Sequence, residues 1–258
     1  MSATEESELA PYAANTDRDV AATWDNAHRY TPAPRHRRRL IRDLVRGLPN
    51  VATFLDAGCA QPFLVELLVG DLGWKGAGCD LSPAVMAQAA AELPGCDFAA
   101  FDLAYERFPG DRRFDLVVCS ETLEHISDWQ AALGNVVAMA DRYVLITVPT
   151  GPLRPVDKLM GHYRHYTPSI VVEALERHGC SVVQVKEWGF PLHSAYRWGV
   201  HHLGSSKVYD SFAEGQEYSR AQIAASDLLY RMFFANDLFR SGSQLMVLAR
   251  APRPGHAS

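Results

Sequence analysis

Paired cysteines are missing from this chain. Its five, Cys59, Cys79, Cys96, Cys119 and Cys180, are scattered with no C-x-x-C pair, which excludes a disulfide scaffold and thiolate zinc frameworks and leaves reduced packing residues in or beside buried strands. No run approaches the roughly 20 apolar residues of a membrane span. Met1 to Ala10 is acidic and polar rather than basic then apolar, so no secretory leader is expected and a cytoplasmic location is. Positive charge is also scarce: 25 Lys and Arg stand against 30 Asp and Glu, a net charge of −5. The isoelectric point is about 6.0. The one basic cluster, Arg35-His36-Arg37-Arg38-Arg39, has no second stripe or RNA-binding module beside it, so it reads as a solvated helix face and no nucleic-acid partner is expected. Repeats and low-complexity segments are absent too, which leaves no case for a solenoid or a linker-separated second domain.

What is present is a core. With 258 residues, 48% of them hydrophobic, the chain can bury a large interior as one α/β domain. We expect that domain over residues 19–250, with frayed ends at 1–18 and 251–258. Apolar runs alternate with helical periodicity as a parallel sheet requires. An amphipathic helix is expected from Pro34 to Gly47, with Leu40, Ile41, Leu44, Val45 and Leu48 on its apolar face. Strands are expected at 51–56, 75–80, 97–101, 114–119, 143–148, 181–187 and 244–250. Helices are expected at 62–71, 83–92, 128–140 and 168–178, with Ser82 and Thr167 as caps.

Residues 53 to 61, Thr-Phe-Leu-Asp-Ala-Gly-Cys-Ala-Gln, read as a buried strand running into a tight turn that opens a helix. Gly58 lets the backbone turn and approach a ligand, and Pro62 starts the helix. Asp80 ends the next strand, at the distance where a doubly wound fold places a ribose-binding acid. A dinucleotide would need a glycine-rich pyrophosphate cradle, but Ala60 and Phe63 fill the later glycine positions. Asp56 would repel phosphate and attract an amino group. The loop therefore suits S-adenosylmethionine better than NAD.

The same residues carry a family resemblance. Leu55-Asp56-Ala57-Gly58-Cys59-Ala60 resembles motif I of the class I S-adenosylmethionine-dependent methyltransferases. Cys79-Asp80-Leu81-Ser82-Pro83 is similar to the family's acidic loop, Phe101-Asp102-Leu103 to its third-strand acid, Phe114 to Glu121 to its fourth strand, and Leu123-Glu124-His125 to a sequence common in its small-molecule branch, of the type 11 and type 12 kind. The resemblance implies a Rossmann-like, doubly wound, mostly parallel seven-stranded sheet with an antiparallel last strand. It implies that Asp56, Gly58 and Ala60 line the methionine end, that Asp80 and Leu81 meet the ribose and Asp102 and Leu103 the adenine, and that Ser120 and Glu121 border the same pocket. An N-terminal helical cover including Trp24, His28, Arg29 and Tyr30 would close the cofactor from the other side.

A methyl acceptor needs alignment first and a base only if it must lose a proton. His125 is one candidate, because it follows the fourth strand closely; it reads equally as a packing histidine. Gly161-His162-Tyr163-Arg164-His165-Tyr166-Thr167-Pro168 overhangs the same end of the sheet and supplies His162, His165 and Tyr166, while Arg164 reads equally as a tie holding the loop. The H-x-x-H spacing lacks a cysteine or carboxylate constellation to complete a zinc set, so no metal is expected.

Residues 189–242 form a long aromatic insert before the last strand. It reads as packing on the sheet edge or on a second subunit, which would make a homodimer, or as the wall of an acceptor pocket. The function expected is methyl transfer from S-adenosylmethionine, leaving S-adenosylhomocysteine, to an O or N atom of a small molecule, such as a specialised natural-product metabolite. The alternative is a non-catalytic nucleotide-binding domain that grips a protein partner through the insert.

Overall fold

The apolar runs become seven strands: β1 (Thr53–Ala57), β2 (Lys75–Asp80), β3 (Asp97–Ala100), β4 (Phe114–Ser120), β5 (Ala140–Pro149), β6 (Ser181–Trp188) and β7 (Gln244–Arg250). They form one sheet in the order β3-β2-β1-β4-β5-β7-β6. β1 to β5 pair in parallel, and β7 runs antiparallel to both of its neighbours, β5 and β6. The Rossmann-like expectation holds, including the reversed last strand. The computed structural model describes residues 28–203 and 218–252. Trp24, the N-terminal tail 1–18 and all but the first two residues of the tail 251–258 lie outside them, as do Tyr209 and Phe212 of the insert.

The helices among the described residues are α1 (Pro32–Val45), α2 (Phe63–Leu72), α3 (Pro83–Glu92), α4 (Trp129–Ala138), α5 (Pro155–Leu159), α6 (Pro168–Arg177), α7 (Leu192–Leu203) and α8 (Arg220–Met232). None of them is long and apolar enough to cross a membrane. Ser82 and Thr167 cap α3 and α6 by accepting from the amides of Val85 and Ile170, so the starts read from the sequence are made by the expected side chains. Because both faces of the parallel sheet are covered, successive residues of one strand enter different cores. Leu55, Val117, Val144 and Ile146 face α4 and α6. Phe54, Leu116, Val118 and Leu145 face α1 and α2, with Leu40, Ile41 and Val45 arriving from α1.

Three expectations need correction. The helix expected from Pro34 to Gly47 instead runs from Pro32 to Val45 and ends two residues before Gly47, its start set by Pro32, which provides the fixed φ of a first helical position. The arginines of that helix do not form a solvated face. Arg35 pairs with Asp227 at 2.7 Å, Arg39 with Asp43 and Asp237 at 3.2 and 2.5 Å, and Arg42 with Asp71 at 2.8 Å, so the cluster fastens α1 to α2 and to the insert. Among the described residues the insert packs chiefly on α1 and leaves much of the sheet edge open. α8 packs on α1, Phe233 and the ring of His36 meet at 5.9 Å, and the edge strand β6 leaves Val183 and Val185 about half exposed, 50% and 43%.

Candidate active site

The carboxyl ends of the adjacent strands β2, β1 and β4 lie side by side, where open α/β sheets bind their ligands, and the backbone is unusual there. Gly58 has φ +81°, Ala60 +44° and Glu121 +54°, and left-handed conformations at non-glycine residues cluster where structure is fixed for binding. The amides of Gly58 and Cys59 donate to the Cys79 carbonyl at 2.8 and 2.9 Å, which locks the turn against β2. A Cβ on Gly58 would stand 2.2 Å from Thr122 Cγ2, so this position accepts only glycine. Ala60 occupies the second glycine position of the motif and keeps its left-handed bend.

Asp80 holds the turn from below. Its Oδ2 accepts from the Ala60 amide at 3.0 Å and its Oδ1 from the Ser82 amide at 3.2 Å. Each oxygen retains a second lone-pair direction. Asp56, buried beside it, is pushed up to about 7, first by burial and then by the nearby Asp80 charge, against the pull of Arg37 and Arg38. Burial raises Asp80 as well. Two neighbouring acids, both raised chiefly by burial, form a pocket complementary to a cation, which would return both to the charged state. Asp102 Oδ1 accepts from the Ala104 amide at 2.9 Å. Leu103 is buried and Leu81 is exposed.

At the end of β4, Ser120 Oγ lies 2.8 Å from Thr147 Oγ1, which donates to Glu121 Oε1 at 3.2 Å. Arg37 Nη1 approaches Glu121 Oε2 at 3.3 Å. Arg37 was not among the sequence candidates. Neither was Arg38, whose guanidinium lies over Phe63 at 5.2 Å from the ring centre and is lowered to about 10, chiefly by burial. The available signal was their place on α1 opposite the apolar stripe, which a solvated face also produces. Tyr30 lies at the margin, its carbonyl accepting from Ser226 Oγ at 2.5 Å and its ring 5.6 Å from that of Tyr218.

The histidine candidates gather beside Glu124, just past the end of β4. The rings of His125 and His162 meet edge to face at 4.6 Å, and His162 Nδ1 lies 3.2 Å from His165 Nε2. Arg164 ties this loop down by donating to the carbonyls of Ile126 and Ser127 at 2.8 and 2.9 Å. Burial lowers His125 to about 4 and His162 to about 2, so both rings are neutral near pH 7. Tyr166 lies inside the core with its ring on Trp129 at 5.1 Å, and burial first, with the Glu124 charge adding to it against Arg164, pushes its phenol up, a position that suits a wall. Two acids join the cluster that the sequence did not place there, Glu124 and Asp157. The missing carboxylates on which the sequence excluded a metal are therefore present.

Beyond α1, a cavity of about 560 Å³ opens between Thr31 and Pro32 at the helix start and Leu192, Tyr196, Leu229 and Phe233 of the insert. Its lining is mostly apolar, in keeping with a wall for a hydrophobic molecule.

Comparison with known proteins agrees with this architecture. A family profile described as a methyltransferase domain matches residues 33–187, more than half of the chain. Among solved structures, the [4+2]-cyclase SpnF is similar at 17% identity and a TM-score of 0.60, over 91% of this chain and 93% of that one. Phosphoethanolamine N-methyltransferase 2 of Haemonchus contortus, in complex with S-adenosyl-L-methionine, is similar at 17% identity and 0.60, over 96% of this chain but only 60% of that longer one. The N-methyltransferase NodS of Bradyrhizobium japonicum WM9, in complex with S-adenosyl-L-homocysteine, is similar at 16% identity and 0.57, over 93% and 100%. No curated protein matches the sequence.

Proposed function

The chain belongs to the methyltransferase-domain family, and from that premise we propose that it binds S-adenosylmethionine at the Asp56 to Glu121 crevice and methylates an O or N atom of a small-molecule acceptor. The observation that carries this reading is the pair of neighbouring acids, buried Asp56 and half-buried Asp80, around a left-handed turn at Gly58 and Ala60. The cofactor supplies a methyl group already activated on a sulfonium. The chain supplies the rest. Asp80 offers two oxygens to vicinal hydroxyls, and charge-assisted bonds of that kind are about twice as strong as neutral ones. Asp56 favours an amino group, while Arg37 and Arg38 are the cations that can meet a carboxylate. Asp102 and Leu103 offer one polar and one apolar contact to a planar base.

The acceptor side is the histidine cluster. Neutral imidazoles there have lone pairs to offer, and the lined cavity beyond α1 fits an acceptor with a hydrophobic body, such as a specialised metabolite. Function is argued from these residues and not from the fold, since a cyclase shares the fold. The test is calorimetric titration of the purified protein with S-adenosylhomocysteine, with NAD as control. Micromolar binding of the first alone, lost in Asp80→Ala, is expected; binding of NAD instead would overturn the reading.

A further inference from the structure

Glu124 is fully buried, 0% exposed, and neither of its carboxylate oxygens has a hydrogen-bond partner among the described residues. Such a group is costly to bury, and in a native structure it calls for an explanation, a bound ion among the foremost. The ligand atoms of Glu124, His125 and His162 all lie within 4.8 Å of one another. We propose that these three side chains form a binding site for a divalent transition-metal ion, zinc being the best match to two imidazoles and one carboxylate with a position left open.

The hydrogen bonds around His162 support its part. His165 Nδ1 lies 3.2 Å from the Gly151 carbonyl, which accepts only, so the proton of neutral His165 sits on Nδ1 and its Nε2 is an acceptor. His162 Nδ1 must then donate to that Nε2, across 3.2 Å. This fixes the tautomer of His162 with its lone pair on Nε2, the ring nitrogen not facing His165. A metal-bound histidine commonly has its other nitrogen held in this way.

A second trio, Asp157, His162 and His165, has the same spacing and a different fate. Asp157 accepts from Arg197 Nη2 at 3.0 Å on both oxygens and from the Arg154 amide at 2.9 Å, and both nitrogens of His165 are engaged. Those groups orient His162 and leave it to the Glu124 side. Bonds of about 2.1 Å would draw the Glu124 trio closer together than 4.8 Å, which rotation of the two half-buried imidazoles provides.

The ion site stands on this geometry alone; only its role rests on the methyl-transfer reading. An ion there would lie beside Glu121 and would hold a hydroxyl of the acceptor, lowering that hydroxyl's pKa as metal-bound water is lowered.

The experiment is to strip the full chain with EDTA and titrate it with zinc against a chromophoric chelator, then with cobalt while recording the visible spectrum. One equivalent bound below micromolar is expected, with cobalt d–d bands and no sulfur charge-transfer band. His162→Asn should weaken zinc at least 100-fold, Glu124→Gln at least tenfold, and His165→Asn about tenfold. No stoichiometric binding, affinity unchanged in His162→Asn, or a sulfur band from the cysteines would overturn the site. Should His162→Asn fail to fold by circular dichroism, His125→Asn carries the same comparison, and the cobalt spectrum of the unaltered chain decides independently. S-adenosylhomocysteine is titrated into the same stripped samples. Its binding without metal binding would overturn the ion site and leave the cofactor reading in place, and metal binding without it would do the reverse.

Discussion

Asp80 and Glu124 are carboxylates drawn out of water at the same edge of the sheet, one at the end of β2 and one just past β4. The chain has answered the first from its own backbone, since the amides of Ala60 and Ser82 converge on the two oxygens. For the second it supplies no donor among the described residues, and burial together with the Glu121 charge raises its pKa well above the usual carboxylate range. The β1 to β2 half is thus complete when folded, whereas the β4 half is completed by what binds to it. Satisfied polar networks rigidify a site, and unsatisfied ones store free energy that a ligand releases.

The largest effect expected comes from breaking the completed half. In Gly58→Ala the new methyl meets Thr122 at 2.2 Å while φ stays at +81°, and strain of this kind costs roughly 3 kcal/mol when steric and dihedral terms combine. S-adenosylhomocysteine binding should fall at least 100-fold by calorimetry and the urea midpoint should drop with it. Normal affinity in this variant would mean that the turn is not the cradle.

A paired substitution addresses the contrast itself. Asp80→Asn removes the charge and turns one of the two accepting oxygens into an NH2 donor facing a backbone amide, which typically costs about 1.5 to 3 kcal/mol, so affinity for S-adenosylhomocysteine should fall about 10- to 100-fold and stability should fall as well. Glu124→Gln removes an acid that must take up or keep a proton to be buried without a partner, and the metal-free protein should gain about 1 kcal/mol at pH 8. Denaturant titrations of both variants at that pH should move in opposite directions. If both lose stability, Glu124 is already satisfied and the two acids do not differ.

The pH dependence follows from the same burial. His28, His36, His125, His162 and His193 are lowered to about 3, 4, 4, 2 and 3 by burial. Below the unfolded value of about 6.5 the unfolded chain binds protons that the folded one refuses, so their contribution is present above pH 6.5 and lost as pH falls. Asp56, raised to about 7, acts in the other sense: the folded chain keeps a proton that the unfolded one releases, and stability declines as pH rises from about 4 to 7. Asp80 and Glu124 share that sign. Histidines outnumber the acids in the acidic range, so stability should climb toward pH 6.5 and then fall, at about 1.4 kcal/mol per pH unit for each unmatched proton. Urea midpoints at pH 5, 6.5 and 8 test this, and a steady decline from pH 5 would mean that the histidines are charged in the fold. Bound cofactor should flatten the upper limb, because its cationic groups keep Asp56 ionised.

The sequence made these two halves unequally legible. The strand ends, the turn at Gly58 and the caps Ser82 and Thr167 are local features, written in glycine placement, periodicity and hydroxyl spacing, and the helix and strand bounds fell within about three residues of those observed. The β5 strand is longer than expected at both ends, because Ala140 pairs with Phe114 of β4 across a register shift and Pro149 pairs with Gln244 of β7, a partner far along the chain. Glu124 was visible as part of a motif, but its isolation depends on what does not reach it. Asp157 and Arg197 are 40 residues apart in sequence and become partners only through the insert. The basic cluster on α1 looked solvated because Asp71, Asp227, Asp237 and Glu121, its partners, come from four distant places. Charge pairing across the fold leaves no periodic trace.

Ala60 offers the finest adjustment of the completed half. An alanine at φ +44° bears a left-handed penalty of about 1 to 2 kcal/mol, and glycine would remove it while adding about 0.5 to 1 kcal/mol of unfolded-state entropy to be overcome. Ala60→Gly should therefore stabilise the protein by about 0.5 to 1 kcal/mol. The amide that Ala60 donates to Asp80 is a backbone group and survives the change, so affinity for S-adenosylhomocysteine should stay within about twofold. A loss of stability would show that the methyl group packs favourably and that the bend costs little. A loss of affinity at unchanged stability would show something different: that the crevice needs a stiff turn to aim Asp80, and that the half built from backbone bonds is held in place partly by the strain it carries.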